Sequence, residues 1–338
     1  MSGGFIPYHI RPNKSIDRHL FMELLRYVDK KKPIREYAYI GFGGNSLEDF
    51  KIIHQTFGNK YLISLEESES VYKRQLFNKP VRTIICKKLK SIDFINRLST
   101  NKSTITWLDF ADPKLIGPQI NELRTLLSKL ADFDVVKITL NANINCLGEA
   151  KDISEEEIIR TGKEKLEILR NRRLEKLKNR LRDHLPSTTE SAKMNDEEYP
   201  KVLLDALRIA TQKAFEGNSD RLFLPLSSFI YKDSLHKMLT LTGIIIPSEN
   251  VSEFLQETAI DSWEFYSNDW NKIVELNAPG LTIKEKLWLD KEIPVRKFES
   301  LIKKIPFDLD EEESKHESII KDYIKLYRYY PHFTRITL

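Results

Sequence analysis

Tyr37-Ala38-Tyr39-Ile40-Gly41-Phe42-Gly43-Gly44-Asn45-Ser46-Leu47-Glu48-Asp49-Phe50 is the stretch whose reading decides the fold. A β-type run, Tyr37 to Ile40, meets a glycine turn, Gly41 to Gly44, and Asn45 and Ser46 then offer helix N-caps with Glu48 and Asp49 three positions on. Leu47, Phe50, Ile53 and Phe57 recur at helical spacing, and Gly58-Asn59 ends the run. The stretch therefore reads as strand, glycine turn, helix.

Working outward, the same alternation repeats. Strands are expected at 61–65, 81–86, 104–108 and 135–140, with helices at 69–77, 91–98 and 116–130 between them. On the N-terminal side Ile16, Leu20, Leu24 and Val28 mark a helix stopped by Lys30-Lys31-Lys32-Pro33. Strands separated by helices need crossover connections, so the pattern predicts an α/β fold with a doubly wound parallel sheet covered on both faces. Beyond Leu140 the pattern changes. Glu155 to Leu185 reads as one long basic amphipathic helix, Pro186 to Glu198 as a solvated linker, and Pro200 to Phe215 as another helix. Leu222 to Tyr231 and Lys237 to Ile246, joined at Lys232-Asp233-Ser234, read as an antiparallel hairpin. Residues 248–338 read as mostly helical, with starts near Thr282, Pro294 and Asp310.

Composition sets the class. In 338 residues, 41% are hydrophobic and 31% charged, which describes a globular chain with a heavily charged surface rather than a disordered one. No run approaches the roughly 18 apolar residues of a membrane span. Lys and Arg number 54 against 50 Asp and Glu, a balance that permits an acidic partner without demanding one. Cys86 and Cys146 stand far apart in apolar surroundings, so neither a disulfide framework nor a CxxC pair is expected, and a reducing cytoplasm is the compartment this implies. The seven histidines show no HExxH or paired metal spacing, and Asp308 to Glu313 reads as acids at a helix start; no metal is expected.

Glycine is scarce, 12 in the chain, yet three fall within positions 41–44. Glycines there let the backbone turn tightly and let a ligand approach main-chain amides at a helix N-terminus. A dinucleotide fingerprint would need glycine where Ser46 stands, which disfavours an NAD-linked oxidoreductase, and Gly-Lys-Ser/Thr is absent. The next strand ends in Glu66-Glu67, where an open parallel sheet places an acid for ribose hydroxyls. The fourth ends in Thr106-Trp107-Leu108-Asp109-Phe110-Ala111-Asp112-Pro113. Asp109 there could orient a ligand amine or serve as a base, and Trp107 and Phe110 offer flat surfaces for a purine.

In this order of motifs the chain resembles the class I, Rossmann-like S-adenosylmethionine-dependent methyltransferases, and more narrowly the bacterial proteins described as O-methyltransferases. Gly41-Phe42-Gly43-Gly44 matches the family's first glycine motif, Glu66 the ribose-binding acid, Asp109-Phe110 the loop after the fourth strand, and the hairpin 222–246 its last two strands. The resemblance implies a seven-stranded methyltransferase sheet, formed by 33–144 and 198–247, preceded by a lid segment and helix at 1–32. A basic helical insertion and linker at 145–197 and a helical extension at 248–338 complete the chain. It further implies S-adenosylmethionine as cofactor, held by Gly41, Phe42, Gly43, Gly44, Asn45, Glu66, Glu67, Asp109 and Phe110. Tyr39 stands where the family usually has an acid, and Lys88-Leu89 where an acid often follows the third strand. Asp109-Phe110-Ala111-Asp112 does not fit the Asp-Pro-Pro-aromatic loop of enzymes that methylate DNA adenine.

Pro7 to Lys14 resembles the lid such enzymes fold over the cofactor, with Arg11 and Lys14 assigned to the methionine carboxylate because each would neutralise that anion. Transfer to an alcohol needs a base, for which Asp109 and Asp112 lead, followed by Glu67, His9 and His19. The acceptor is unknown. The segment 160–182 sets ten Lys and Arg against Glu164, Glu167 and Glu175, which reads either as a solvated face or as a docking surface for protein or nucleic acid, in a lobe over the active edge. A catalytically silent partner protein that binds a macromolecule through this lobe is the alternative function.

Overall fold

The computed structural model describes residues 11–217, 220–233, 236–294, 298–302, 304–305 and 307–331. Its helices are α1 (Pro12–Asp29), α2 (Glu48–Phe57), α3 (Glu69–Asn78), α4 (Ser91–Asn96), α5 (Ile116–Leu127), α6 (Glu155–Thr161), α7 (Lys165–Leu181), α8 (Tyr199–Ala214), α9 (Val251–Thr258), α10 (Ile283–Glu292), α11 (Phe298–Ile302) and α12 (Glu313–Leu326). Its strands are β1 (Ala38–Gly41), β2 (Tyr61–Glu66), β3 (Ile84–Lys88), β4 (Thr104–Asp109), β5 (Val135–Asn141), β6 (Arg221–Asp233), β7 (His236–Pro247) and β8 (Val274–Leu276). They form one sheet in the order β3-β2-β1-β4-β5-β7-β6-β8. The first five pair in parallel, and β7 runs antiparallel to β5 and β6.

Two cores follow from strand alternation. Tyr39, Leu62, Ile105 and Trp107 pack on one face against Ile16, Leu20, Leu24 and Val28 of α1 and Leu47, Phe50 and Ile53 of α2. Leu108, Val136, Ile138 and Leu140 pack on the other against α5 and α8. The four α1 residues are at most 1% exposed, so each contributes roughly 1.5–3 kcal/mol of burial, an upper bound. The N-terminus of α1 is held at long range: the Asp233 carboxylate accepts from the amides of Asn13 at 3.2 Å and Lys14 at 2.8 Å. Asp233 ends β6 beside the β6–β7 turn, at the same edge where the parallel strands end, and this contact brings Lys14 there.

Several expectations need correction. The helix after the glycine turn is not capped by Asn45 or Ser46; its N-cap is Leu47, in a left-handed conformation (φ 54°) with no side-chain cap. The basic segment is two helices rather than one, broken after α6 at Gly162 (φ 65°), which ends α6 without strain. The linker is not wholly solvated, since Met194 is completely buried against the α5–α8 core. An eighth strand, β8, pairs in parallel with β6 inside the region expected to be helical. The C-terminal region also builds a small core of Leu289, Leu301, Ile320, Tyr323 and Tyr330, and Tyr329 binds Glu23 of α1 through its hydroxyl. Among the described residues no helix is long and apolar enough to cross a membrane.

Candidate active site

Three strands deliver the site. Gly41 of β1 lies in register beside Ser64 of β2 and Trp107 of β4, so the glycine turn, Glu66 and Asp109 emerge together at the carboxyl edge. Open α/β sheets take ligands in this crevice. The turn is rigidly supported. A Cβ on Gly43 would fall 2.2 Å from Leu47 Cδ2 and 2.7 Å from Ser64 Oγ, and Gly44 has φ 53°, so glycine is required at one position by packing and at the next by backbone conformation. The Gly43 amide is directed inward to Ser64 rather than outward to a ligand. The buried Asn45 carbonyl accepts from Asn78 Nδ2 at 2.8 Å, and Phe42 meets Phe110 edge-on with centroids 5.4 Å apart, tying the turn to the loop after β4.

That loop is anchored as well. The Phe110 amide donates to Thr139 O at 3.0 Å, Asn141 Nδ2 to Ala111 O at 3.2 Å and Gln119 Nε2 to Asp112 O at 2.8 Å. Asp112 is exposed and its carboxylate caps the short turn Pro113–Leu115 by accepting from the Lys114 amide at 2.9 Å. Trp107 does not reach the crevice. Its ring is 1% exposed and its Nε1 donates to Thr139 Oγ1 at 3.0 Å, so it is a core residue and offers no platform for a purine.

On α1, Lys14, Asp17 and Arg18 fall at i, i+3 and i+4 and so share one face, which lies on the sheet. All three are buried and paired: Lys14 with Asp109, Asp17 with Lys137 of β5 at 2.6 Å, and Arg18 with Asp49 of α2. Lys137 Nζ also stands 4.8 Å from the Trp107 ring centre and 5.2 Å from that of Phe21. Burial pulls its pKa down, against the opposing pull of Asp17. Burial alone would raise the Asp109 carboxyl, but Lys14, with help from Arg18 and Lys137, holds it below the usual value. Tyr39, at the position of the family's acid, points into the core, where it packs edge-on to Phe50 at 4.9 Å. Its hydroxyl proton is held tightly by burial and by the nearby Asp49. The Arg18–Asp49 pair lies close to this hydroxyl and brings a carboxylate to that neighbourhood from α2.

Glu66 is half-buried and its Oε1 accepts from the Ser68 amide at 2.8 Å; burial raises its pKa against that bond. Glu67 is exposed. At the end of β3, Lys88 pairs with Glu69 and Leu89 donates its amide to Glu66 O at 3.0 Å. Arg11 is the N-cap residue of α1 and half-buried. The lid residues 7–10, His9 included, lie outside the described residues, and His19 is exposed on α1 with Nδ1 2.8 Å from Ser15 O.

A sequence profile of the family described as "Putative O-methyltransferase" matches residues 6–338. The chain belongs to that family. Its strand order, with the antiparallel β7 between β5 and β6, is the seven-stranded methyltransferase sheet extended by β8. None of the curated proteins matches the chain. Among solved structures, the plantazolicin methyltransferase BamL, in complex with a desmethylPZN analog and SAH, is 14% identical, over 68% of this chain and 85% of its own, with a TM-score of 0.34. The N-methyltransferase NodS from Bradyrhizobium japonicum WM9 is 10% identical over 68% and 97% of the two chains, with a TM-score of 0.38. Trm1 from Pyrococcus horikoshii, in complex with S-adenosyl-L-methionine, is 11% identical over 72% and 58%, with a TM-score of 0.42.

In this chain part of the basic insertion is engaged internally. Arg173 is buried and donates to Gly148 O at 2.8 and 2.9 Å, Met194 O at 3.2 Å and Asn145 Oδ1 at 3.0 Å. Arg172 forks onto Glu157 at 2.7 and 2.8 Å, and Arg180 reaches Pro113 O at 3.2 Å and Cys146 O at 3.4 Å. The last contacts set α7 against the loops after β4 and β5. Sequence reasoning missed Asp17, Arg18, Asp49, Ser64, Gln75 and Lys137. The available signal was three charged residues on the face of α1 that also carries Phe21 and Leu25, which a buried helix tolerates only when each charge is paired.

Proposed function

We propose that this protein transfers the methyl group of S-adenosylmethionine to an oxygen of its acceptor. The observation that carries this reading is the Lys14–Asp109 pair at the end of β4, beside the glycine turn. A cation and an anion held side by side at the ligand edge match the carboxylate and ammonium of an amino acid, so the residues present fit the methionine moiety. Lys14 would hold that carboxylate with Arg11, Asp109 the ammonium, and Glu66 the ribose hydroxyls. Gly41, Gly44, Asn45 and Phe42 would form the wall against which the ligand rests, with Phe110 closing it. Gly43 contributes by shaping the turn.

When bound, S-adenosylmethionine supplies a sulfonium-activated methyl carbon open to attack by an acceptor oxygen. The protein's share is orientation, exclusion of water and removal of the acceptor proton. Asp109, held ionised by Lys14, is a weak proton acceptor and is assigned to positioning; Asp112, exposed at the same edge, is the base this reading favours, with Glu67 second. A cytoplasmic location in a bacterium belongs to the same reading, supported by the two free thiols, Cys86 and Cys146.

Calorimetric titration with S-adenosylmethionine and S-adenosylhomocysteine tests this. Micromolar binding, weakened about tenfold by Lys14→Met and by Glu66→Ala, is expected. A folded sample that takes up neither ligand overturns the reading and leaves the non-catalytic partner in its place.

A further inference from the structure

We propose that the outer edge of the sheet, along β3 and its flanking helices, binds a single-stranded polynucleotide. Residues 73–102 contain nine Lys and Arg against one acid, Asp93. Unlike the cations of α7, few of these serve the fold. Lys73 and Lys88 share Glu69, whereas Arg74, Arg82, Lys90 and Arg97 are exposed and form no ion pair among the described residues. A stripe of unneutralised cations is the footprint of a polyanion.

The shape of the edge supplies the second observation. α4 has only six residues, too short to cover β2 and β3, so Ile85 is left 52% exposed. A cleft of about 350 Å³ opens beside it, floored by Ala38, Ile40 and Ile63 and rimmed by Lys87 and Arg97. Phe77, in the last turn of α3, is 92% exposed, and Tyr61, at the start of β2, is 46% exposed with Lys102 Nζ 4.0 Å from its ring centre. Exposed rings among cations stack bases while the cations track phosphates, a combination that an acidic peptide does not require. Lys87 and Lys88 end β3, where Lys88 lies in register beside Glu66, and Lys90 follows, so these cations stand next to the crevice that holds Glu66.

Fluorescence anisotropy on the full chain, with labelled oligouridylate and oligothymidylate of about 20 nucleotides, tests the proposal, and the two probes tell RNA from DNA. Binding that weakens steeply with salt is expected. Arg74→Glu combined with Lys90→Glu and Arg97→Glu should reduce it by at least about tenfold, and Phe77→Ala by several-fold. All four residues are exposed, so thermal midpoints should be kept. Lys165→Glu with Lys176→Glu, which lowers the net charge on the insertion instead, should have a much smaller effect. Absence of binding at low salt overturns the proposal. So does equal weakening by the two sets of charge reversals, or displacement by polyglutamate as effective as by unlabelled oligonucleotide. Because none of these variants alters the glycine turn, Lys14, Glu66 or Asp109, a failure here leaves the methyl-transfer reading standing, and the reverse also holds.

Discussion

The Gly43 amide donates to Ser64 Oγ at 3.2 Å, and the Ser64 hydroxyl in turn donates to Gln75 Oε1 at 3.1 Å. Ser64 and Gln75 are both completely buried, so this chain fixes the glycine turn from beneath through β2 and α3. Ser64→Ala would leave the Gly43 amide and the Gln75 carbonyl without their partner in the interior. A loss of about 1–3 kcal/mol is expected, read as a lowered urea midpoint with an unchanged slope. Ser64→Cys, which keeps the volume and a weaker donor, should lose less.

Gly43 is for the same reason a poor probe of ligand binding. Gly43→Val would drive its side chain into Leu47 and Ser64, whose nearest atoms stand 2.2 and 2.7 Å from the position of a Cβ. The expected result is a destabilised protein in which weakened cofactor binding carries no separate information. Thermal scans of the variant beside Glu66→Ala check this, because Glu66 lies at the half-buried end of β2 and its truncation should move the midpoint far less.

Lys137→Met should be among the most damaging single changes. Lys137 and Asp17 form an ion pair whose side chains are 1% and 0% exposed, and removing the cation leaves a buried carboxylate. The cost is about 3–5 kcal/mol. Lys137→Met combined with Asp17→Leu should recover a large part of it, since neither member then remains as an uncompensated charge. Chemical denaturation of the two singles and the double, as a mutant cycle, measures the coupling; additive losses would contradict it.

How legible this architecture was depends on the range of the interaction. The order strand, glycine turn, helix at 37–57, the five parallel strands and the hairpin at 222–246 follow from local periodicity and turn residues, and the sheet bears them out within a few residues at each boundary. β8 was not legible because Val274-Glu275-Leu276 is too short to show a period and is extended only by pairing with β6. The left-handed Leu47 was hidden by two better N-caps immediately before it. Site contacts were harder still. Glu66 and Asp109 could be placed because strand ends converge at one edge, whereas Lys14–Asp109 and Lys137–Asp17 join residues about a hundred positions apart, and charge alone does not name a partner. Within the basic run 160–182 composition could not single out Arg173, which the fold buries as a donor to the carbonyls of Gly148 and Met194.

The insertion should accordingly depend on Arg173 for its order. Arg173→Ala removes donors to two main-chain carbonyls and to Asn145, which together fasten α7 to residues 145–148 and 194. Hydrogen exchange is expected to rise across 145–197 while protection in β1, β4 and β5 is unchanged. Exchange that rises throughout the sheet would show that the insertion is not a separable lobe, contrary to the boundaries placed at 145 and 197.

Acid should weaken the contact that fastens α1 to the site. The folded Asp109 carboxyl titrates below its ordinary value of 3.8, with burial opposing and Lys14 driving the shift. A carboxyl depressed on folding contributes stability above its unfolded value and loses it as the pH falls through the folded one. The Lys14–Asp109 contribution should therefore be complete at pH 7 and decline as the pH falls below about 5 and on through the lowered folded value. In Lys14→Met, burial of Asp109 is answered only by the more distant Arg18 and Lys137, so its carboxyl titrates higher than in the wild type. The stability gap between wild type and Lys14→Met should then be widest near neutral pH and narrow on acidification, as Asp109 becomes protonated in both. Urea midpoints at pH 7, 5 and 4 measure that gap; one that is constant or widens toward pH 4 would show that Lys14 stabilises the fold by packing rather than through its charge.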